Sequence, residues 1–290
     1  MIIDVHTHTP RHHTATTLGA SSNAAWRPDQ SRPTSLTWAD QLAALEGVDR
    51  AIVFNIASDP RDPGGEWDLM YPTPQVNDDT AAFAGAYPHK LIGFLTVHPH
   101  DPNALEEVER ATRDLGLRGI KLGPNYQNFD PLGAEASRLF HRAEELGLPI
   151  LLHQGTSPNQ FADLDFAHPR HIDRVAMAFP NLRLVLAHMA HPWQADCIAV
   201  IRKHPHVYAD ISAQFYRPWS YYNAFRLAYE WGAMGKLLFG SDLPIATPKE
   251  TMDALWRVND ITTGTHLPRV PESDLEAILH RDSLGLLGLA

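Results

Sequence analysis

Eight short runs of apolar, β-favouring residues recur along this chain, at 2–6, 51–56, 91–97, 119–122, 150–153, 184–188, 207–211 and 237–242. They read as continuous apolar stretches rather than alternating ones, which is the mark of strands buried on both faces, as in parallel sheets covered by helices. Amphipathic stretches lie between them. The clearest is 133–146 (GAEASRLFHRAEEL), where Ala136, Leu139, Phe140, Ala143 and Leu146 share one stripe opposite the charges. Gly147-Leu148-Pro149 then ends that helix and turns the chain into the next strand. Further helices are expected at 36–45, 104–115, 170–179, 193–203, 221–231 and 272–287. Eight strand-helix units of this size imply a (β/α)₈ TIM barrel in one domain over residues 1–290. An open doubly wound sheet is the alternative, but no glycine-rich phosphate fingerprint follows the first strand.

Two segments exceed an ordinary loop, 10–35 after strand 1 and 57–74 after strand 2. Both follow strand C-termini, so they are expected over the mouth of the barrel as lids or substrate walls, with plain surface insertion as the alternative.

Composition narrows the partners. No segment has the ~18 uninterrupted apolar residues of a membrane helix. The formal net charge of −10 argues against nucleic acid, which draws on clustered Lys and Arg. The start of the chain has neither a basic region nor an apolar stretch, so no secretory signal is expected. With one cysteine, Cys197, no intrachain disulfide is possible, and a reducing, cytoplasmic setting is expected. Histidine is the anomalous component, at 17 of 290 residues.

In a (β/α)₈ barrel the working side chains stand at strand C-termini, so position selects a short list. Strand 1 supplies His6 and His8, strand 4 Lys121, strand 5 His153, strand 6 His188 and strand 8 Asp242. His-x-His alone is weak evidence, because chance gives about one such pair in so histidine-rich a chain. Four histidines and an aspartate at barrel strand ends are another matter. Three imidazoles and one carboxylate suit Zn²⁺ or another borderline divalent ion, Mn²⁺ or Co²⁺ included, with a position left open for water or substrate. His6, His8, His153 and Asp242 are therefore assigned as ligands of one divalent ion. His188 stands beside it as general acid/base or to polarise a carbonyl, and Asp242 also handles a proton.

Lys121 is open between two roles: carboxylated, it would bridge a second metal, and as an amine it would bind a substrate carboxylate. Arg11, Arg27, Arg32 and Arg217 could clamp a carboxylate, or be surface arginines. His98, at the end of strand 3, could reach the pocket rim or cap a turn. His191 reads as a loop residue, and His12 and His13 as solvated. His168, His171, His204 and His206 read as structural. Aromatics near the mouth, Trp26, Trp38, Trp67, Tyr71, Tyr126, Phe215, Tyr216 and Trp219, could line a ring-binding pocket or pack as core.

Taken jointly and in order, Asp4-Val5-His6-Thr7-His8, Gly119-Ile120-Lys121-Leu122, residues 149–153 with Gln154-Gly155-Thr156, Ala187-His188 with Pro192-Trp193, and Phe239-Gly240-Ser241-Asp242-Leu243-Pro244 carry a family resemblance. Over nearly its whole length the chain resembles the amidohydrolase superfamily, in the branch that includes aminocarboxymuconate-semialdehyde decarboxylase. The resemblance implies a mononuclear divalent site, usually zinc, at His6, His8, His153 and Asp242, with His188 as the catalytic histidine. Two positions depart from the pattern. Gly123-Pro124 stands where many relatives have a histidine, and Arg281-Asp282-Ser283 where a final helix usually carries Asn-Ala.

Two chemistries share such a site. A hydrolase would activate water on the ion to cleave an amide, lactone or related carbonyl bond of a small molecule. A non-oxidative decarboxylase would release CO₂ from an aromatic or unsaturated carboxylic acid. The expectation here is the hydrolase, because hydrolysis is the wider chemistry of the superfamily. A catalytically dead scaffold would show an eroded ligand position, and none is eroded. The partner expected is a small molecule, with a carboxylate among the candidates, and family habit adds a homodimer.

Overall fold

The computed structural model describes residues 1–10, 27, 37–61, 70–157, 160 and 162–290. Eight parallel strands form the barrel: β1 Ile3–His8, β2 Arg50–Phe54, β3 Leu91–Gly93, β4 Ile120–Leu122, β5 Ile150–Leu152, β6 Leu184–Leu186, β7 Val207–Asp210 and β8 Leu237–Leu238. Continuous ladders join β1-β2-β3 and β4-β5-β6-β7-β8. Two seams close the circle. At one, Leu95 N donates to Gly119 O (2.8 Å) and Lys121 N to Leu95 O (2.7 Å). At the other, Val5 N reaches Phe239 O (3.0 Å), Asp242 N reaches His6 O (2.8 Å) and His8 N reaches Leu243 O (2.8 Å). The fold is the expected TIM barrel.

Its core has two compartments. Ile3, Val5, Ile52, Phe54, Ile92, Phe94, Leu151, Val185 and Leu238 form an inner cluster that also takes in Leu284, Leu287 and Leu289 from the chain's last turns. A larger layer packs strand residues such as Val53, Leu122, Leu152 and Leu186 against helix stripes such as Leu139, Phe140 and Phe225. Each apolar strand is thus covered on both sides, which is why it reads as unbroken hydrophobic sequence.

The helices are α1 Trp38–Ala44, α2 Gln75–Ala86, α3 Ala104–Arg113, α4 Ala134–Leu146, α5 Pro169–Ala178, α6 Gln194–Lys203, α7 Pro218–Glu230, α8 Pro248–Trp256, α9 Glu272–Leu279 and α10 Ser283–Leu287. Gly147 closes α4 in the left-handed region at φ 67°, as the sequence implies. Four features depart from what the sequence leads one to expect. Helices α2 and α8 were not anticipated, and the helix expected over 272–287 breaks into α9 and α10. The third and eighth strands are shorter than their apolar runs, and Leu95 and Leu243 continue the pairing as isolated bridges. A short parallel pair, Ile56–Ala57 with Met70–Tyr71, ties the start of the 57–74 segment to its end. Most of 10–35, and 62–69, lie outside the described residues, so their expected place over the mouth does too. No described helix is long and apolar enough to cross a membrane.

Candidate metal centre

The pairing of β1 with β2 slips by one residue between Asp4 and Thr7: Asp4 faces Ala51 while Thr7 faces Val53. An extra residue of this kind re-aims the side chains beyond it. Val5 packs into the inner cluster, and yet His6 and His8 line the cavity at the C-terminal mouth of the barrel. Their Nε2 atoms stand 3.2 and 3.3 Å from the same oxygen, Asp242 Oδ1. The ring of His188 lies 4.9 Å from that of His6 and 5.0 Å from that of His153. His153 follows β5 directly, its backbone N–H held by Leu122 O (2.8 Å).

Local backbone conformation aims two of these residues. Asp242 sits in the left-handed region at φ 64°, and His188, Met189 and Ala190 form a left-handed run at φ 57°, 46° and 53°. Such conformations cost of order 1–3 kcal/mol per non-glycine residue and persist only where the surroundings impose them. Here they turn the chain sharply at the ends of β6 and β8, so that both side chains face the cavity.

Behind the cluster stands Asp210, fully buried at the end of β7. Its carboxylate accepts from His6 Nδ1 (2.9 Å), His188 N (3.0 Å), Ser212 N (3.1 Å) and the Ser212 hydroxyl. Asp4, on β1 itself, acts in a similar way, accepting from His6 N (3.0 Å), Ser241 N (3.0 Å) and Ser241 Oγ (2.6 Å). The sequence reading missed Asp210, although it lies one residue from the end of the seventh apolar run and ends β7, where the strand-end rule looks for polar residues.

The electrostatics follow from burial set against neighbours. Burial opposes ionisation of Asp242 and Asp210, and His6 more than offsets it, aided by His8 at Asp242 and Ser212 at Asp210, so both carboxyls lie below the usual carboxylate range. Burial and Lys121 oppose a charge on His6, and Asp210 and Asp242 raise it all the same. Burial lowers His8 and, with His188 and Lys121 adding to it, drops His153 well below an ordinary imidazole. His188 is pushed down to about 4 by burial, and Lys121 to about 8 by burial against the pull of Asp242 and Asp210. Asp4 rises to about 7 because burial outweighs its hydrogen bonds.

His153 Nε2 and His8 Nδ1 are buried with no hydrogen-bond partner among the described residues. The His8 ring already turns its other nitrogen, Nε2, to Asp242, and the orphaned Nε2 of His153, in the cavity wall, is a buried donor atom that a divalent ion would satisfy. The ligand atoms of His6, His188 and Asp242 lie within 4.8 Å of one another, close enough for one ion, with His8 and His153 lining the same cavity.

The cavity at the cluster holds about 230 Å³, below the roughly 300–1,000 Å³ of drug-sized sites, so its ligand is small. It gathers the whole short list, His6, His8, Lys121, His153, His188 and Asp242, with the candidates Arg217, Tyr126 and Tyr216, and adds His191, which the sequence read as a loop residue. Lys121 lies 3.4 Å from His6 Nε2 and 4.6 Å above the Phe54 ring. Two expectations are corrected. Arg27 is a buried strut behind the wall, bonded to Ile245 O and Glu250 (both 3.2 Å) and stacked on Phe215 and Tyr216. His98 is away from the cavity, its Nε2–H spent on Gln127 O (2.5 Å) and its Nδ1 accepting from His100 N (3.1 Å). That wiring, with Arg61 engaging Asp59, accounts for the second histidine-aspartate group, Asp59, His98 and His100. Arg11, Arg32, His12, His13, Trp26 and Trp67 lie outside the described residues.

A parallel barrel whose strand ends bring imidazoles and a carboxylate into one small cavity defines the class of barrel enzymes built to work with a divalent ion. The amidohydrolase family model matches residues 3–289. The chain belongs to the amidohydrolase family and is an enzyme of it. Among solved structures, it is similar to a dihydroxybenzoic acid decarboxylase from a Polaromonas species with bound manganese and 2-nitroresorcinol, at 18% identity and TM-score 0.67, over 99% of this chain and 97% of that one. A 5-carboxyvanillate decarboxylase from Sphingomonas paucimobilis aligns at 16% identity and TM-score 0.67, over 100% and 99%. A probable 2-pyrone-4,6-dicarboxylic acid hydrolase from Acinetobacter baumannii, with citric acid bound, aligns at 14% and TM-score 0.64, over 99% of both.

Proposed function

We propose that this enzyme is a non-oxidative decarboxylase of a small aromatic or unsaturated carboxylic acid, with one divalent ion held by His6, His8, His153 and Asp242. This reading replaces the hydrolase expected from the sequence. The observation that carries it is the pairing of two cations, Lys121 and Arg217, with the histidine-carboxylate cluster in one small cavity. A carboxylate substrate gains charge-assisted bonds from both cations. The decarboxylases among the similar structures support the same chemistry.

The ion supplies Lewis-acid polarisation of the substrate's oxygens. Zinc suits three imidazoles and a carboxylate, and the similar Polaromonas structure has manganese bound. Arg217, stacked on Tyr216 at 4.7 Å, orients the substrate from the cavity wall. When the carbon–carboxylate bond breaks, its electron pair stays on the substrate carbon, which takes up one proton as CO₂ leaves. Asp242 and His188 both face this cavity and rest without that proton, so they would relay it, taking it from the substrate or solvent before passing it to the carbon.

The test is CO₂ release from a panel of hydroxybenzoates and unsaturated diacids by the zinc- or manganese-loaded enzyme, without oxygen uptake. Asp242→Asn should lower the rate at least about a hundredfold, within the range for a lost acid–base group. The second reading is lactone hydrolysis, favoured by the likeness to the pyrone dicarboxylate hydrolase. Ring-opened acid from a pyrone or lactone, with no CO₂, would establish it instead.

A further inference from the structure

His188 follows β6 with its ring in the cavity wall, and its Nδ1 meets two oxygens of one residue, Ser212 Oγ at 2.8 Å and Ser212 O at 3.4 Å. A carbonyl oxygen only accepts. The hydroxyl has a single hydrogen, and that hydrogen points at Asp210 Oδ1, the closest contact the hydroxyl makes. Were it turned toward His188 instead, two acceptor oxygens would face each other there with no hydrogen between them. The Asp210 carboxylate is acceptor-only, already taking the backbone N–H groups of His188 and Ser212 and the Nδ1–H of His6. The Ser212 hydroxyl also lies 3.3 Å from His6 Nδ1, whose hydrogen goes to Asp210, so the one hydrogen left to bridge His188 Nδ1 and these two oxygens is the ring's own.

We propose that Asp210 and Ser212 act as one positioning unit, which fixes the neutral His188 ring with its proton on Nδ1 and its Nε2 lone pair toward the cavity. Asp210 anchors both ends of the arrangement. It holds the His188 backbone within the left-handed turn, and through Ser212 it orients the ring. The same carboxylate takes the Nδ1–H of His6, so one buried group presents two imidazoles to the cavity through Nε2. In its resting form His188 is then an acceptor toward the substrate, and it donates only after taking a proton from the substrate or solvent. The proposal rests on His188 facing the working cavity and is independent of which bond the enzyme breaks.

The experiment is a two-bond ¹H–¹⁵N correlation spectrum of enzyme with ring-labelled histidine. It is recorded at about pH 8, above the range in which an unperturbed imidazole carries charge. The protein is zinc-loaded and then chelated, with the His188 signals assigned by their loss in His188→Gln. The expected result is an Nδ1–H pattern for His188 that survives chelation. That pattern is lost in Ser212→Ala, with zinc stoichiometry unchanged, and retained in Ser212→Thr, which keeps the hydroxyl. An Nε2–H pattern in the wild-type enzyme, or an Nδ1–H pattern that vanishes on chelation, overturns the proposal. So does an Nδ1–H pattern that persists in Ser212→Ala. The wild-type spectra decide the matter if either variant fails to fold.

Discussion

At the scale of single residues, Asp210 does not line the cavity, and yet two imidazoles of the site depend on it. Replacing it by Asn keeps the shape and removes the charge that holds His6 Nδ1–H. Loss of such an outer partner typically costs 10–100-fold in metal affinity. Asp210→Asn is accordingly expected to release zinc to a competing chelator at a tenth or less of the chelator concentration the wild type needs. Tyr221 offers a test free of the ion. Its hydroxyl is buried with no hydrogen-bond partner among the described residues, and burial raises its phenol above the ordinary value. An acid whose folded pKa is raised contributes stability that is fully present below its unfolded value, about 10 for tyrosine, and lost as pH rises beyond it. Tyr221→Phe should therefore move the alkaline unfolding midpoint upward, and at neutral pH leave stability within about 1 kcal/mol of wild type or better. Pushed up to about 12 by burial, Tyr216 keeps some of the alkaline limb in the variant. At this scale the strand-end rule made His6, His8, Lys121, His153, His188 and Asp242 legible, because in a barrel position along a strand decides which side chains reach the mouth. Arg27 and His98 were over-read for a reason that no single sequence discloses. Each spends its polar atoms on carbonyls or carboxylates of segments distant in the chain.

At the scale of elements, the turns after strands carry more constraint than the strands themselves. Gly155, just past β5, has φ +99°, and a Cβ there would lie 2.2 Å from His191 O across the neighbouring turn. Gly147, at the end of α4, is also left-handed, at φ +67°, but has open space around it. Gly147→Ala should cost only its conformational penalty, about 1 kcal/mol. For Gly155→Ala the expected loss exceeds about 2 kcal/mol, since backbone must move as well. Urea midpoints of the two variants measure the difference, and equal midpoints would mean the two turns are not packed as described. The elements that escaped sequence reading did so for different reasons. Pro74, which caps α2, makes no side-chain capping bond, and the stretch QVNDDTAAFAGA has no clear apolar stripe, so little marked it as helix. Helix α8 did carry a signal, the Thr247/Glu250 capping box with Pro248 at the first helical position, and the strand-first reading passed over it. Strands β3 and β8 are short because the barrel closes beside them through single bridges, which periodicity does not encode.

For the molecule as a whole, the proposed ligands tie β1 to the residues following β5 and β8, so an ion bound there is bound only by the closed barrel. At a hundredfold excess over its dissociation constant, such a ligand adds about 2.7 kcal/mol to the folded state. For a chain of this size that corresponds to roughly 4 °C in melting temperature. Calorimetry before and after chelation should show a drop of that order, restored by zinc or manganese. An unchanged melting temperature would remove these four residues as a ligand set. The architecture itself was legible because eight doubly covered strands leave eight unbroken apolar runs. What covers the mouth was not, since loop residues answer to a partner molecule rather than to a repeating geometry. The seam at which Asp242 N meets His6 O has a consequence for how the enzyme is made. A ribosome delivers the first histidine pair early and the aspartate only after the eighth strand has been translated. A nascent chain, or one stalled short of that strand, offers an ion imidazoles and no Asp242 carboxylate. On the proposed ligand set, the full complement of donors thus comes together only once the eighth strand has been made.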